Sequence, residues 1–516
     1  MPTTVEQTRA RSKRVVVIGG GITGLAAMHR LLERGAKTGA SFEVMLLEAK
    51  SRLGGVIKTI HREGFLIEAG ADSFISEKPE AIELARRIGL ESHLIETNRE
   101  HRRSFIVRDG RLRPVPEGFQ LMAPSRLWPF VTSDIFSWAG KARMALDLVI
   151  PRRTASNGLD ESLAHFVRRR FGREAFERLA QPMIGGIYTA DPEKLSLRAT
   201  LPRFLELERE HGSVIRALWK QNREQSAENR SGTSGARYSL FLSFDQGMQM
   251  LVDHLAKTIS QYEFPNVGSG RPIEPKMQLN TAVDSLAIDR ETSPAGAPSK
   301  WRIRIDRNQM IEADAVCLAV PAYTAAFLLR NADPQLSALL AKISYASTAT
   351  INLAYKRADV RHPLDGFGFV VPFIENRSIL ACTFSSVKFA GRATADSDLL
   401  RAFVGGALQP EMFELDEDEM IDSVRADLRD LLGISRPPLF TVIEKWRNSM
   451  PQYHLGHLEL VAQIENHVRN LSGLALAGNS YRGAGIPDCI RSGEAAAERL
   501  LQSFSAESVR SQLLVD

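Results

Sequence analysis

The chain has 516 residues, 44% of them hydrophobic and 25% charged, with 66 basic against 61 acidic side chains for a net charge of +5. That is long enough for several domains and apolar enough for a sizeable core, so a disordered chain is excluded. The small positive balance leaves room for an anionic small molecule or a membrane surface without demanding nucleic acid. The three cysteines, Cys317, Cys382 and Cys489, are far apart and form no C-x-x-C pair, so neither a metal site nor a disulfide framework is expected, and a reducing compartment is the default.

In chain order, residues 1–12 are polar and basic and read as a disordered tail. Val15 to Gly24 (VVVIGGGITG) is an apolar strand running into Gly19-x-Gly21-x-x-Gly24, followed by the apolar helix pattern Leu25 to Leu32. In such a turn the first glycine permits a tight bend, the second lets backbone approach a pyrophosphate, and the third lets helix pack on strand. The helix start, with Gly20, Ile22 and Thr23, offers free N–H groups and a positive dipole end to phosphate. A second apolar run, Phe42 to Leu47, ends at Glu48, placed to accept hydrogen bonds from ribose hydroxyls. Glu48-Ala49-Lys50-Ser51-Arg52-Leu53-Gly54-Gly55-Val56 then turns the chain back. A nicotinamide site has no evident need for this arginine and glycine pair, whereas FAD needs close backbone approach and positive charge here. Gly70-Ala71-Asp72-Ser73 suits backbone contact with a flavin ring.

Glu100 to Val107 places Arg102 and Arg103 just before an alternating strand. Residues 115 to 220 are helical in pattern, and the Arg168–Arg170 run reads as a solvated helix face. Gln221 to Ala236 is polar and rich in glycine and serine, and reads as a mobile loop. Ser285–Arg290 and Trp301–Asp306 read as a hairpin around Glu291 to Lys300, and Ala313 to Pro321 as a strand returning to the main sheet. The longest apolar run, Ala315 to Leu329, has 15 residues including Pro321, too short and broken to span a bilayer. Near the end, Leu474 to Asp488 (LALAGNSYRGAGIPD) is again strand, glycine-rich turn and helix start. The fold class expected is α/β, with a Rossmann-like, glutathione-reductase-like FAD-binding domain shared by the two ends. No His or Cys occupies an evident attachment position, so the FAD is expected to be non-covalent.

Four segments carry a family resemblance: the Gly19 turn with Glu48 to Gly55; Ser243 to Leu251 (SFDQGMQML); Met450 to His457 (MPQYHLGH); and Gly478 to Ile490 (GNSYRGAGIPDCI). Together they resemble the oxygen-dependent porphyrinogen oxidases of haem synthesis, and the last two look like the Gram-positive-type branch that oxidises coproporphyrinogen III. The resemblance implies an FAD domain from 14–80, 236–312 and 440–510, a mixed-sheet substrate domain from 81–114 and 313–439, and a helical insertion, a membrane-associated domain, at 115–235. In the last, Phe119, Leu121, Leu127, Trp128, Phe130, Phe136 and Trp138 lie near Arg126, Lys141 and Arg143, a mix suited either to a lipid interface or to an ordinary helical core. The expected location is cytoplasmic, peripheral on the inner face of the cell membrane.

The implied reaction is the six-electron oxidation of a porphyrinogen to a porphyrin by three FAD-mediated hydride transfers, each with O2 reduced to H2O2. Coproporphyrinogen III is favoured and protoporphyrinogen IX comes a close second. It needs orientation and exclusion of water, so no catalytic residue beyond the flavin is expected. The resemblance adds Val283, Trp446, Gly478, Ile486, Pro487 and Asp488 to the FAD contacts, Arg103 and then Arg102 to a substrate propionate, and a downstream ferrochelatase as a partner. An FAD amine oxidase, a carotenoid desaturase and a non-enzymatic FAD-stabilised assembly protein are the alternatives.

Overall fold

The computed structural model describes residues 13–38, 42–153, 160–228, 241–263, 274–289, 300–306 and 309–513. The disordered-tail expectation for 1–12 and the turn of the Glu291 hairpin lie outside these residues.

The strands Lys13–Ile18 and Phe42–Leu47 pair in parallel around the helix Ile22–Thr38. Lys276–Gln278 adds to the outer edge. On the other side come Ala315–Leu318 and then Leu474–Leu476, so the five-stranded parallel sheet is drawn from the start, middle and end of the chain. Its inner strands are buried on both faces at their C-terminal halves, as parallel sheets require. Val15, Val17, Val44 and Leu46 point into one core, with the first helix, Gln249–Ser260 and the last helix, Ile486–Leu513. Val16, Ile18, Met45 and Leu47 point into the other, beneath the three-stranded antiparallel sheet of Val283–Asp289, Lys300–Ile305 and Gln309–Ala313. The two ends of the chain lock together where a Cβ on Gly493 would lie 2.2 Å from the Thr23 carbonyl oxygen.

The second sheet is seven-stranded and mixed, in the order Phe440–Pro451, Tyr345–Lys356, Ser397–Gly405, Ala381–Phe384, Gly368–Val370, Phe105–Arg108, Arg111–Pro114. Only the Gly368–Phe105 neighbours run parallel. One face is closed by the helix Glu417–Leu432. The helices between Leu127 and Glu228 enclose a core of their own.

Several expectations change. The boundary at 312/313 separates Ala315–Leu318 from the parallel sheet it completes, and that at 439/440 separates Phe440–Pro451 from the seven-stranded sheet it edges. Ala315–Leu318 thus returns to the main sheet as its sequence suggests, while Phe440–Pro451 is placed by its long pairing with Tyr345–Lys356. The expected loop from Gln221 is helical as far as Glu228, continuing Val214–Glu228; residues 229–236 lie outside the described segments. The Arg168–Arg170 run is no solvated face. Arg170 is fully buried against Asp147, the half-buried Arg169 bridges Glu161 and Glu208, and Arg168 is exposed beside Glu193. Among the described residues no helix is long and apolar enough to cross a membrane.

Candidate flavin and substrate site

Both glycine turns leave the C-terminal ends of strands of one parallel sheet, with Ala315–Leu318 between them. Adjacent strands lie about 4.8 Å apart, so the turns start roughly 10 Å from each other. The C-terminal edge is where open α/β sheets bind ligands. In the first turn, Gly19 has φ +109° and its N–H donates to the Leu47 carbonyl at 2.8 Å. A Cβ on Gly24 would stand 1.9 Å from the Gly19 carbonyl oxygen, whereas one on Gly21 would meet nothing within 4 Å. Gly24 is thus small because the protein fills the space, and Gly21 faces room for something else. Gly478 repeats the second case: φ is +132° and nothing lies within 4 Å of its would-be Cβ. Ile22 and Thr23, also expected at the site, are buried in the first helical turn.

Glu48 is fixed by two backbone donors, Gly20 N–H at 2.6 Å and Lys50 N–H at 2.8 Å, one to each carboxylate oxygen. Ala49 and Val56 are exposed at the rim. Arg52 is spent on its own loop. It donates to the carbonyls of Leu53 (3.0 Å), Gly55 (2.5 Å) and Ile57 (2.8 Å), so it shapes the turn that brings Gly55 against Gly21. The Gly54 N–H to Gly20 carbonyl bond of 2.8 Å closes that contact.

The segment Gly70 to Ser73 is held by residues far away in sequence. Trp446 donates its indole N–H to the Ala69 carbonyl at 3.0 Å, and Thr350 donates to the same oxygen at 2.6 Å. Buried Arg401 donates to the Gly70 carbonyl, and its Nη1 lies 3.8 Å from Asp72. Lys388 reaches Asp72 at 2.8 Å and Ser73 at 3.2 Å. Burial opposes ionisation of Asp72, but Lys388 and Arg401 overcome it and hold the carboxyl well below the usual range. Burial lowers the guanidinium pKa of Arg401 while Asp72 and Glu68 oppose the change; arginine starts so high that it keeps its charge. Ala71 sits half-buried between these anchors, and Val283 lies half-buried at the start of the three-stranded sheet. Arg401 and Thr350 sit on strands of the second sheet and Lys388 ends the short helix Ser385–Lys388; all three escape sequence reading because these segments read as ordinary core strand or loop.

Glu68 is nearly buried and accepts from Met248 N–H at 2.7 Å and Thr59 hydroxyl at 2.8 Å. Burial outweighs these bonds and pushes its carboxyl up to about 7. The folded state therefore holds a proton that the unfolded chain releases near its ordinary value of 4.5. Stability should fall as pH rises from about 4.5 to 7 and then level off, by about 1–3 kcal/mol from this group. Urea unfolding of the apoprotein at pH 5 and pH 8 should show that loss, and Glu68→Gln should shrink it. An identical pH profile in the variant would remove Glu68 as its source.

At the last helix, Ile486, Pro487 and Asp488 are buried in the first turn, and Pro487 takes a position where a missing N–H costs nothing. The Asp488 carboxylate is paired with Lys78 at 2.6 Å and with Arg491. The two arginines before the Phe105 strand differ. Arg103 is tied to Asp365, by Nε to the carbonyl at 2.7 Å and by Nη2 to the carboxylate at 2.5 Å. Arg102 has a buried Nε with no hydrogen-bond partner among the described residues.

In the helical region the aromatics divide. Phe130 and Phe136 are core and Phe119 packs against them. Trp128 and Trp138 are 75% and 73% exposed, with Leu127, Leu146 and Val149 exposed beside them in sequence. Lys141 lies over the Trp138 ring at 4.4 Å.

A family model described as flavin containing amine oxidoreductase matches residues 22–501. The chain is 32% identical over 485 residues to the coproporphyrinogen III oxidase of Bacillus subtilis (strain 168), covering 94% of this chain and 97% of that protein. It is 27% identical to protoporphyrinogen oxidase 2, chloroplastic/mitochondrial, of Arabidopsis thaliana, over 95% of this chain and 94% of that one. A solved structure of a candidate protoporphyrinogen oxidase from Exiguobacterium sp. 255-15 superposes with a TM-score of 0.78 at 29% identity, covering 95% of this chain and 99% of that one.

Proposed function

The chain belongs to the flavin containing amine oxidoreductases and, within them, to the porphyrinogen oxidases, and we propose that it oxidises a porphyrinogen to a porphyrin in haem synthesis, coproporphyrinogen III ahead of protoporphyrinogen IX. The observation that carries this reading is the full-length similarity to a coproporphyrinogen III oxidase, on a fold whose two glycine turns open side by side.

FAD, when bound, supplies a two-electron acceptor that O2 can restore, so three rounds remove six hydrogens and leave three H2O2. The residues fit it. Gly21 and Gly478 leave unfilled space, the first helix turns its N-terminus to that space, and Glu48 is held rigid with lone pairs to spare for ribose hydroxyls. In this reading Gly19, Gly20, Ile22, Thr23, Gly24, Ala49, Gly54, Gly55, Val56 and Val283 surround the dinucleotide, with Arg52 bracing the Gly54–Gly55 turn. Gly70 to Ser73, Trp446 and the Ile486–Asp488 helix start frame the ring. The helix start favours negative charge there without a proton donor.

The seven-stranded sheet supplies the substrate side, where carboxylates call for a guanidinium. Arg102 is the better placed of the two arginines, because Asp365 already satisfies Arg103. Arg102→Ala should raise KM about ten- to hundredfold with kcat kept, as loss of one charge-assisted pair of about 1.5–3 kcal/mol requires. Arg103→Ala should do less. Steady-state kinetics at two salt concentrations measures this; wild-type KM in both variants would move the propionate site elsewhere.

The protein works in the cytoplasm, and the exposed Trp128, Trp138 and Val149, with Arg126 nearby in sequence, form the surface that rests on the inner leaflet of the membrane. There it passes porphyrin to a ferrochelatase. Co-sedimentation with anionic vesicles that Trp128→Ser and Trp138→Ser leave unchanged would remove this surface.

A further inference from the structure

The Met450–His457 segment, distinctive in sequence, supplies no group to the site described above. Its side chains instead grip the second glycine turn at Asn479 and Tyr481. Tyr453 donates its hydroxyl to the Asn479 carbonyl at 2.5 Å. His457 Nε2 lies 2.9 Å from the Tyr481 carbonyl, an oxygen that can only accept, so the proton sits on Nε2. Between them, Tyr345 from a neighbouring strand accepts from Ala322 N–H at 2.8 Å and shares a hydrogen bond with the Ser480 hydroxyl at 2.6 Å. The Tyr453 and His457 rings stack with centroids 4.2 Å apart and planes 14° from parallel, and both are almost fully buried. Burial lowers the His457 pKa, which keeps the ring neutral and the tautomer fixed.

The back of the segment is anchored just as firmly. The Ser196 N–H donates to the Tyr453 carbonyl at 2.8 Å, Leu455 N–H donates to the Lys194 carbonyl at 2.9 Å, and Gly456 N–H donates to Asp160 at 3.1 Å. Gln452 N–H donates to the Ser344 carbonyl at 2.9 Å. A tyrosine that served only to fill the core would not need its hydroxyl on a turn carbonyl, nor would three aromatic side chains converge on three successive residues of one turn. Meanwhile the Gly478 side of the turn is left open.

We propose that Tyr453 and His457, with Tyr345, are positioning residues that hold the Gly478–Tyr481 turn in the shape that receives the flavin ring. The proposal rests on reading this turn as the ring end of the FAD site.

The test uses full-length apoprotein titrated with FAD, followed by potentiometry of the reconstituted protein. Tyr453→Phe, which keeps the stacked ring and removes one hydrogen bond, should weaken FAD binding about tenfold. It should also shift the visible flavin spectrum and the reduction potential. His457→Leu should do the same, and His457→Gln, which restores an N–H donor, should recover most of the affinity. If Tyr453→Phe does not fold, Tyr345→Phe probes the same turn from the other side. Variants with wild-type FAD affinity and potential but lower melting temperatures would overturn the proposal, reducing the cluster to packing. No porphyrinogen is used, so a wrong substrate assignment leaves this result standing, while a wild-type apoprotein that takes up no FAD would sink the reading beneath it.

Discussion

Gly21→Val should yield a folded, colourless protein. Nothing lies within 4 Å of the Cβ that the substitution adds, so the apoprotein should keep its stability to within about 0.5 kcal/mol, as for an exposed position. The added side chain would nevertheless occupy the space through which backbone approaches the pyrophosphate. Losing two charge-assisted hydrogen bonds of about 1.5–3 kcal/mol each corresponds to at least a hundredfold loss of FAD affinity. Gly24→Val should behave in the opposite way. Its Cβ would fall 1.9 Å from a backbone oxygen that cannot move without opening the turn, so the protein itself should fail to fold. Flavin fluorescence titration and circular dichroism on the two variants separate the effects. A yellow Gly21→Val protein would show that the open space serves something other than the cofactor.

Arg401→Met should cost about 3–5 kcal/mol, the usual penalty for removing one partner of a buried ion pair. Arg401 is fully enclosed, and its loss would leave Asp72 with Lys388 alone and the Gly70 carbonyl without its guanidinium donor. Since Gly70 to Ser73 is shaped by these bonds, FAD affinity should fall together with stability. Asp72→Asn in the same background should add much less than it does alone, because the two residues act through one network. Denaturant unfolding of the four proteins of this cycle measures the coupling. A loss under 1 kcal/mol in Arg401→Met would mean that Lys388 and the backbone suffice.

The first turn was legible from sequence because its chemistry is local. Gly19, Gly21, Gly24 and Glu48 sit within one strand–helix–strand unit, and each spacing has a single geometric purpose. The meeting of the two ends was legible for the same reason, since Leu474 to Asp488 repeats the strand-turn-helix pattern. What could not be read was whatever depends on the second sheet. Arg401 and Lys388 lie more than 300 residues from the segment they hold, in stretches whose alternation says only that they are strand or loop. Phe440–Pro451 likewise joins a sheet whose other strands are remote, whereas Ala315–Leu318 was legible as a strand returning to the main sheet. Arg102 and Arg103 are adjacent and alike in sequence, and only Asp365 across the sheet tells them apart. The Arg168–Arg170 run misled because charge suggests solvent, while Asp147 and Glu208 from other helices and Glu161 just before the same helix supply buried partners.

The central claim is tested most directly by anaerobic stopped-flow mixing of the purified FAD-loaded protein with coproporphyrinogen III and, separately, with protoporphyrinogen IX. The flavin absorbance should bleach with both, faster with coproporphyrinogen III, and admission of O2 should release three H2O2 for each porphyrin formed. Flavin that neither porphyrinogen bleaches, but that a primary amine or a carotene does, would contradict the account.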